Sequence, residues 1–190
     1  MSDAEQPKPE GERRNFYGRV HGKTLRASQK QYLAEDLGRV TLQGVTVQDI
    51  PGRARLDPAA LFGGRPVWLE IGFGGGEHLV HMAASYPQVE IIGCEPFVNG
   101  IAMLLGKIRQ AEVQNLCLHP GDVRDLFDVL PAACLSKVFL NYPDPWPKAR
   151  HHRRRFVTPE YLHPLARAMH PGSELRVATD IPDYVRQTLE

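Results

Sequence analysis

Apolar residues in this chain come in short unbroken runs, and turns rich in glycine or acid separate those runs from longer stretches with helical spacing. The first run, Val67-Trp68-Leu69, leads straight into Gly72, Gly74, Gly75 and Gly76. It predicts a buried strand, a glycine turn and a helix over Glu77–Ser85, where Leu79, Val80, Met82 and Ala83 share a face until Pro87. Strands are then predicted at Val89–Cys94, Asn115–His119, Lys137–Asn141 and Glu174–Ala178. Between and after them, helical spacing covers Val98–Gln110, Val123–Leu130, Thr158–Met169 and Pro182–Glu190, with Thr158 as an N-cap and Pro159 in the first turn. Strands that alternate with helices in this way build an α/β domain, a parallel sheet with helices on both faces.

Ahead of that domain the pattern is different. Residues 1–14 are polar, rich in Pro, Glu and Lys, and predict a disordered tail. Residues 15–62 form a basic extension, with a helix over Ser28–Leu37 and an irregular connector, Gln43–Phe62, broken by Pro51, Gly52 and Pro58. The α/β domain then occupies residues 63–190. No apolar run reaches membrane-spanning length, and the N-terminus has no hydrophobic stretch of the secretory kind. Cys94, Cys117 and Cys134 are odd in number and widely spaced, which suits reduced thiols in a cytoplasmic protein. A monomer and a homodimer fit the sequence equally.

The net charge of +1 conceals two concentrated cationic segments. Six Lys/Arg residues and no acid lie between Arg13 and Lys30, and five more, again with no acid, between Lys148 and Arg155. The remaining 12 basic residues face all 22 acidic ones. Two positive patches on an acidic body point to a polyanionic partner, whereas a single run is usually just solvated surface.

The glycine turn has the geometry of a nucleotide cradle, although any tight strand-to-helix turn could use the same residues. A dinucleotide fingerprint would place its third glycine at position 77, which is Glu77. The pattern is instead Gly72-x-Gly74-x-Gly76, with Glu70 two residues ahead. That puts a carboxylate at the lip of the loop, a poor neighbour for a pyrophosphate but one that suits the cationic methionine end of S-adenosylmethionine. Further acids, Glu95, Asp122, Asp144 and Asp180, each follow the apolar run of a strand, at the sheet edge where α/β ligands bind. Glu95, 19 residues after Gly76, is placed for the ribose hydroxyls, and Asp122 for an adenine amino group. Phe97 either packs on the adenine face or belongs to the core.

Asn141–Lys148, reading NYPDPWPK, combines three prolines, two aromatic residues and a carboxylate. Proline fixes φ and stiffens the loop, so Trp146 and Asp144 could stack on a purine and accept from its edge; alternatively Trp146 plugs the core. His78 and His81 share a helix face, but no third ligand accompanies them, and no metal is expected.

Taken with the following HHRRR, the NYPDPWPK stretch resembles the bacterial tRNA (guanine-N7-)-methyltransferases, which have the class I, Rossmann-like methyltransferase fold. The resemblance runs from the basic N-terminal segment to Asp180. LEIGFGGG with Glu70, GCEP with Glu95 and GDV with Asp122 match that family's cofactor-binding positions, with S-adenosyl-L-methionine as cofactor. The resemblance implies Asp144 as the catalytic residue, and Lys148 and Asp180 as substrate contacts; Arg153 and Arg154 of the basic run are candidate tRNA contacts. It implies methylation of N7 of a guanine in the tRNA variable loop. It also implies two further strands and a Thr-x-x-Glu loop, neither of which precedes Glu190, so the sheet is expected to lack its final strands. The rival readings are a methyltransferase for another substrate and an RNA-binding module with a vestigial cofactor pocket.

Overall fold

Val67–Ile71 (β1) is buried at every residue because it lies in the middle of a parallel sheet that is covered on both faces. In this computed structural model the described residues are 16–46 and 54–190. The expected tail, and residues 47–53 of the connector, lie outside them. The other strands are Glu90–Cys94 (β2), Leu116–His119 (β3), Leu135–Asn141 (β4) and Met169–Ala178 (β5), in the order β3-β2-β1-β4-β5. Every pairing is parallel.

Alternation along the strands sorts the core into two layers. Val67, Leu69 and Ile71 of β1, with Ile92, Val138 and Leu140, join residues of Val123–Val129 (α6), Pro159–Ala168 (α7) and Pro182–Leu189 (α8). Trp68, Ile91, Leu118 and Phe139 face the opposite way and pack against Glu77–Ser85 (α4) and Val98–Ala111 (α5).

The N-terminal extension lies on the second layer. Its expected helix is split into Ala27–Glu35 (α1) and Leu37–Val40 (α2). The break is at Asp36, whose carboxylate accepts from Arg109 of α5 at 2.5 and 3.0 Å, while Arg109 also lies over the Tyr32 ring. Leu42 then donates its N–H to the Leu118 carbonyl, which covers part of the β3 edge.

The connector is not wholly irregular, since Pro58–Phe62 (α3) is helical. Asp57 caps it through Ala59 and Ala60 N–H, Pro58 takes the first turn, and Gly63 closes it in the left-handed region. At the other end of the sheet, β5 starts five residues earlier than its apolar pattern suggests. Met169 pairs with Leu135, a bulge absorbs His170–Ser173, and regular pairing resumes at Glu174 with Lys137. Thr158 occupies the N-cap position of α7, but its side chain makes no capping bond.

One close approach fixes the glycine turn against α5. A Cβ at Gly100 would lie 2.2 Å from the Gly74 carbonyl oxygen, so only glycine lets this helix reach the turn. Gly100→Ala should therefore lower stability by about 1–3 kcal/mol, despite the better helix propensity of alanine. A urea-denaturation midpoint equal to or above that of the wild type would contradict this.

Candidate functional site

The strand order reverses beside β1, and the crevice opens there, at the carboxyl ends of β1 and β4. It is a cleft of about 480 Å³. Its walls come from the turns after four strands: Gly72 and Gly74 after β1, Glu95 and Phe97 after β2, Asp122 after β3, and Asn141–Asp144 after β4. Phe16–Arg19 of the N-terminal extension line it too, together with Trp146, Arg154, Phe156 and Tyr161.

Gly72 and Gly74 have φ of +71° and +56°, and a Cβ on either would meet nothing within 4 Å. Their backbone is thus open to a ligand. Gly76, at +80°, serves packing instead, since a Cβ there would strike Leu104. Glu95 ties the turn to the next loop: its two carboxylate oxygens accept from Gly74 N at 2.8 Å and Phe97 N at 2.9 Å. Burial pushes the Glu95 carboxyl above the usual range, against the pull of those two N–H groups, and the nearby Asp144 adds to the rise.

Asp122 lines the cleft with its carboxylate already engaged. Arg124 donates to it through Nη2 at 2.6 Å, through Nε at 3.1 Å to each oxygen, and through its backbone N–H at 2.9 Å. The same guanidinium reaches Glu160 of α7 at 2.6 Å and lies over the Tyr161 ring.

Glu70 is not at the lip of the loop. As an even position of β1 it shares the α4 side of the sheet with Trp68, and only 2% of it is exposed. Its Oε2 is 2.8 Å from His78 Nδ1, and its Oε1 accepts from Asn141 Nδ2 at 3.5 Å. Burial raises its pKa and His78 opposes the rise. Its carboxylate reaches Asn141, which lines the cleft.

The proline-rich loop is strained. Tyr142 and Trp146 hold φ of +49° and +41°, although each precedes a proline that favours extended backbone. Trp146 neither plugs the core nor offers a bare platform. Arg154 lies 5.0 Å from its ring centre and 4.7 Å from that of Tyr17, with His151 edge-on. The two basic segments thereby meet at one mouth. Their charges are not all available, however. Lys148, Arg150 and Arg153 are exposed, Arg154 is half-buried against the two rings, and Arg155 is buried. Desolvation and the surrounding cations lower the pKa of His151.

A family model described as "Putative methyltransferase" matches residues 64–190. The tRNA (guanine-N(7)-)-methyltransferase of Paracoccus denitrificans (strain Pd 1222) is 72% identical over 96% of this chain and 78% of its own length. That of Cereibacter sphaeroides (strain ATCC 17023) is 74% identical over 93% of this chain and 73% of its own. The chain belongs to the tRNA (guanine-N(7)-)-methyltransferase family. Its fold is that of the Rossmann-like class I methyltransferases. Precorrin-6y C5,15-methyltransferase from Geobacter metallireducens GS-15 superposes with a TM-score of 0.53 over 66% of this chain and 60% of that one, at 14% identity, a likeness of fold alone.

Of the candidate residues in this member of the methyltransferase family, Gly72, Gly74, Glu95, Asp122, Asp144 and Arg154 line one cleft. Glu70 and Gly76 stand behind its wall, while Lys148, Arg153 and Asp180 are exposed outside it. Sequence reasoning missed His78 as the partner of Glu70, Arg124 as the partner of Asp122, and Tyr17 and Arg19 in the wall. Strand alternation was a usable signal for His78; nothing in the sequence ties residues 16–19 to the cleft. The Asp122–Arg124 pair is desolvated, with side chains 15% and 9% exposed, whereas Glu160 is 59% exposed. Arg124→Met should cost about 3 kcal/mol by leaving Asp122 unpaired, and Glu160→Gln about 1 kcal/mol or less. Equal losses in urea denaturation would overturn this ranking.

Proposed function

We propose that this protein transfers a methyl group from S-adenosylmethionine to N7 of a guanine in tRNA, the guanine lying in the variable loop. The observation that carries the reading is one cleft in which Glu95, Asp122 and Asp144 converge on an open glycine turn, with both basic segments at its mouth. A tRNA substrate places the reaction in the cytoplasm.

The residues fit the cofactor. Gly72 and Gly74 admit a ligand to the main chain, and Gly76 closes the turn. Each Glu95 oxygen accepts one N–H and keeps lone pairs for a ribose hydroxyl. Asp122, held still by Arg124, faces an adenine amino group. Glu70 contributes negative charge behind the wall, which favours a cation on the other side. When bound, the cofactor supplies a methyl group carried on a positively charged sulfur.

Guanine N7 has a free lone pair at neutral pH, so the chain needs no strong general base. Its residues act by alignment and by electrostatics. Asp144, on a loop stiffened by three prolines, accepts from the guanine edge and stabilises positive charge that develops on the purine. Lys148, Arg153 and Arg154 meet tRNA phosphates, and Asp180 meets the substrate from the end of β5.

Labelled methyl transfer from S-adenosylmethionine to tRNA tests this, with 7-deazaguanine at the target as control. Label in both RNAs, or in neither, would refute N7 as the acceptor. Asp144→Asn should keep cofactor affinity and lower turnover about 100-fold, and unchanged turnover would refute the assignment.

The state of Glu95 sets a pH dependence. Its carboxyl must be ionised to accept from two hydroxyls and two N–H groups at once, and its pKa is raised. Affinity for the cofactor should therefore be full at neutral pH and fall on acidification, beginning at a higher pH than for an ordinary carboxylate. Calorimetric titration between about pH 5 and 8 reads this, with Glu95→Gln weak and flat across the range.

A further inference from the structure

Arg155 ends the second basic segment, yet it is 1% exposed and each arm of its guanidinium is used. Nε donates to the Pro145 carbonyl at 2.8 Å, Nη1 to Gln187 Oε1 at 2.8 Å, and Nη2 to Asp183 Oδ2 at 2.9 Å. Its Cζ lies 5.1 Å from the ring centre of Tyr184, itself fully buried. Asp183, Tyr184 and Gln187 lie within a five-residue stretch of α8, and Gln187 also donates to the Val157 carbonyl at 2.6 Å. A buried cation persists only where such bonds compensate its lost hydration.

Pro145 sits between Asp144 and Trp146 in the strained loop. The loop root is set by Tyr142 N–H on the Ala178 carbonyl at 2.7 Å, which prolongs the β4–β5 ladder. Beyond that root, the Pro145 carbonyl on Arg155 ties the middle of the loop to α8. Without it, the positive φ at Trp146 has less to hold it, and the backbone can relax away from the cleft.

Resting on the methyl-transfer reading, we infer that Arg155 is a positioning residue, which fixes Asp144 over the cleft by latching the Pro145 carbonyl to α8. It is thus not a tRNA contact, although it stands in a run of arginines. A lysine would keep the charge but offers a point donor that cannot serve three directions in one plane.

The test uses the full chain with Arg155→Lys and Gln187→Ala, read by steady-state kinetics on tRNA and by acrylamide quenching of tryptophan fluorescence. The chain has two tryptophans, and Trp68 is only 9% exposed, so added quenching reports Trp146. Arg155→Lys should lower kcat about 10- to 100-fold with the KM for S-adenosylmethionine within about threefold, and should raise quenching of Trp146. Gln187→Ala should move both readings the same way by a smaller factor. Should Arg155→Lys fail to fold, Gln187→Ala decides by the same two readings. Unchanged kcat, or a fall in kcat with unchanged quenching, would overturn the inference, since a purely structural loss does not expose Trp146 selectively. An inactive wild type would refute the methyl-transfer reading instead, and the quenching comparison would still decide whether Arg155 latches the loop.

Discussion

The reversal of strand order beside β1 is the constraint from which the site follows. Because β2 and β4 flank β1, the connections after β1 and β4 leave the sheet in opposite directions and cannot cover the gap between them. At its floor the turn after β1 lies against α5, because Gly100 lets the Gly74 carbonyl rest on the helix. A single missing side chain thus keeps the floor of the cleft low and its backbone exposed.

Four charged groups that line or frame this floor are withdrawn from solvent, and each of the four is matched. Glu95 holds two backbone N–H groups, Glu70 holds His78, Asp122 holds Arg124, and Arg155 holds a carbonyl, an amide and a carboxylate. None of these is cheap in hydration energy, and apolar residues of similar size would pack at least as well. What the matched charges give is direction: each fixes the orientation of a group that lines or frames the cleft. The strain at Tyr142 and Trp146 belongs to the same design, since such backbone survives only where its surroundings over-determine it.

The central architecture was legible because strands buried on both faces are nearly pure apolar runs, and VEIIGC and KVFLN could be little else. Edges were harder. β5 is interrupted by Pro171 and Gly172, and the backbone absorbs them in a bulge that no local pattern announces. The split at Asp36 depends on Arg109, more than seventy residues away, and the α3 cap was readable but hidden among turn residues. In the site, acids at strand ends were found by position. Glu70 was misplaced by treating it as part of the loop, when alternation already turned it toward α4. The basic run misled in another way: consecutive residues in a tight turn cannot all face water, and the one that turns inward carries no mark in the sequence.

That inward turn separates two kinds of cation along a few residues of chain. Dissolved ions screen the exposed Lys148, Arg150 and Arg153 over roughly 8–10 Å at ordinary ionic strength, and so loosen whatever polyanion they hold. They have little access to Arg155, whose bond to the loop is to an uncharged carbonyl. Rising ionic strength should thus weaken any polyanion contact to those exposed cations while the bond from Arg155 to the Pro145 carbonyl persists.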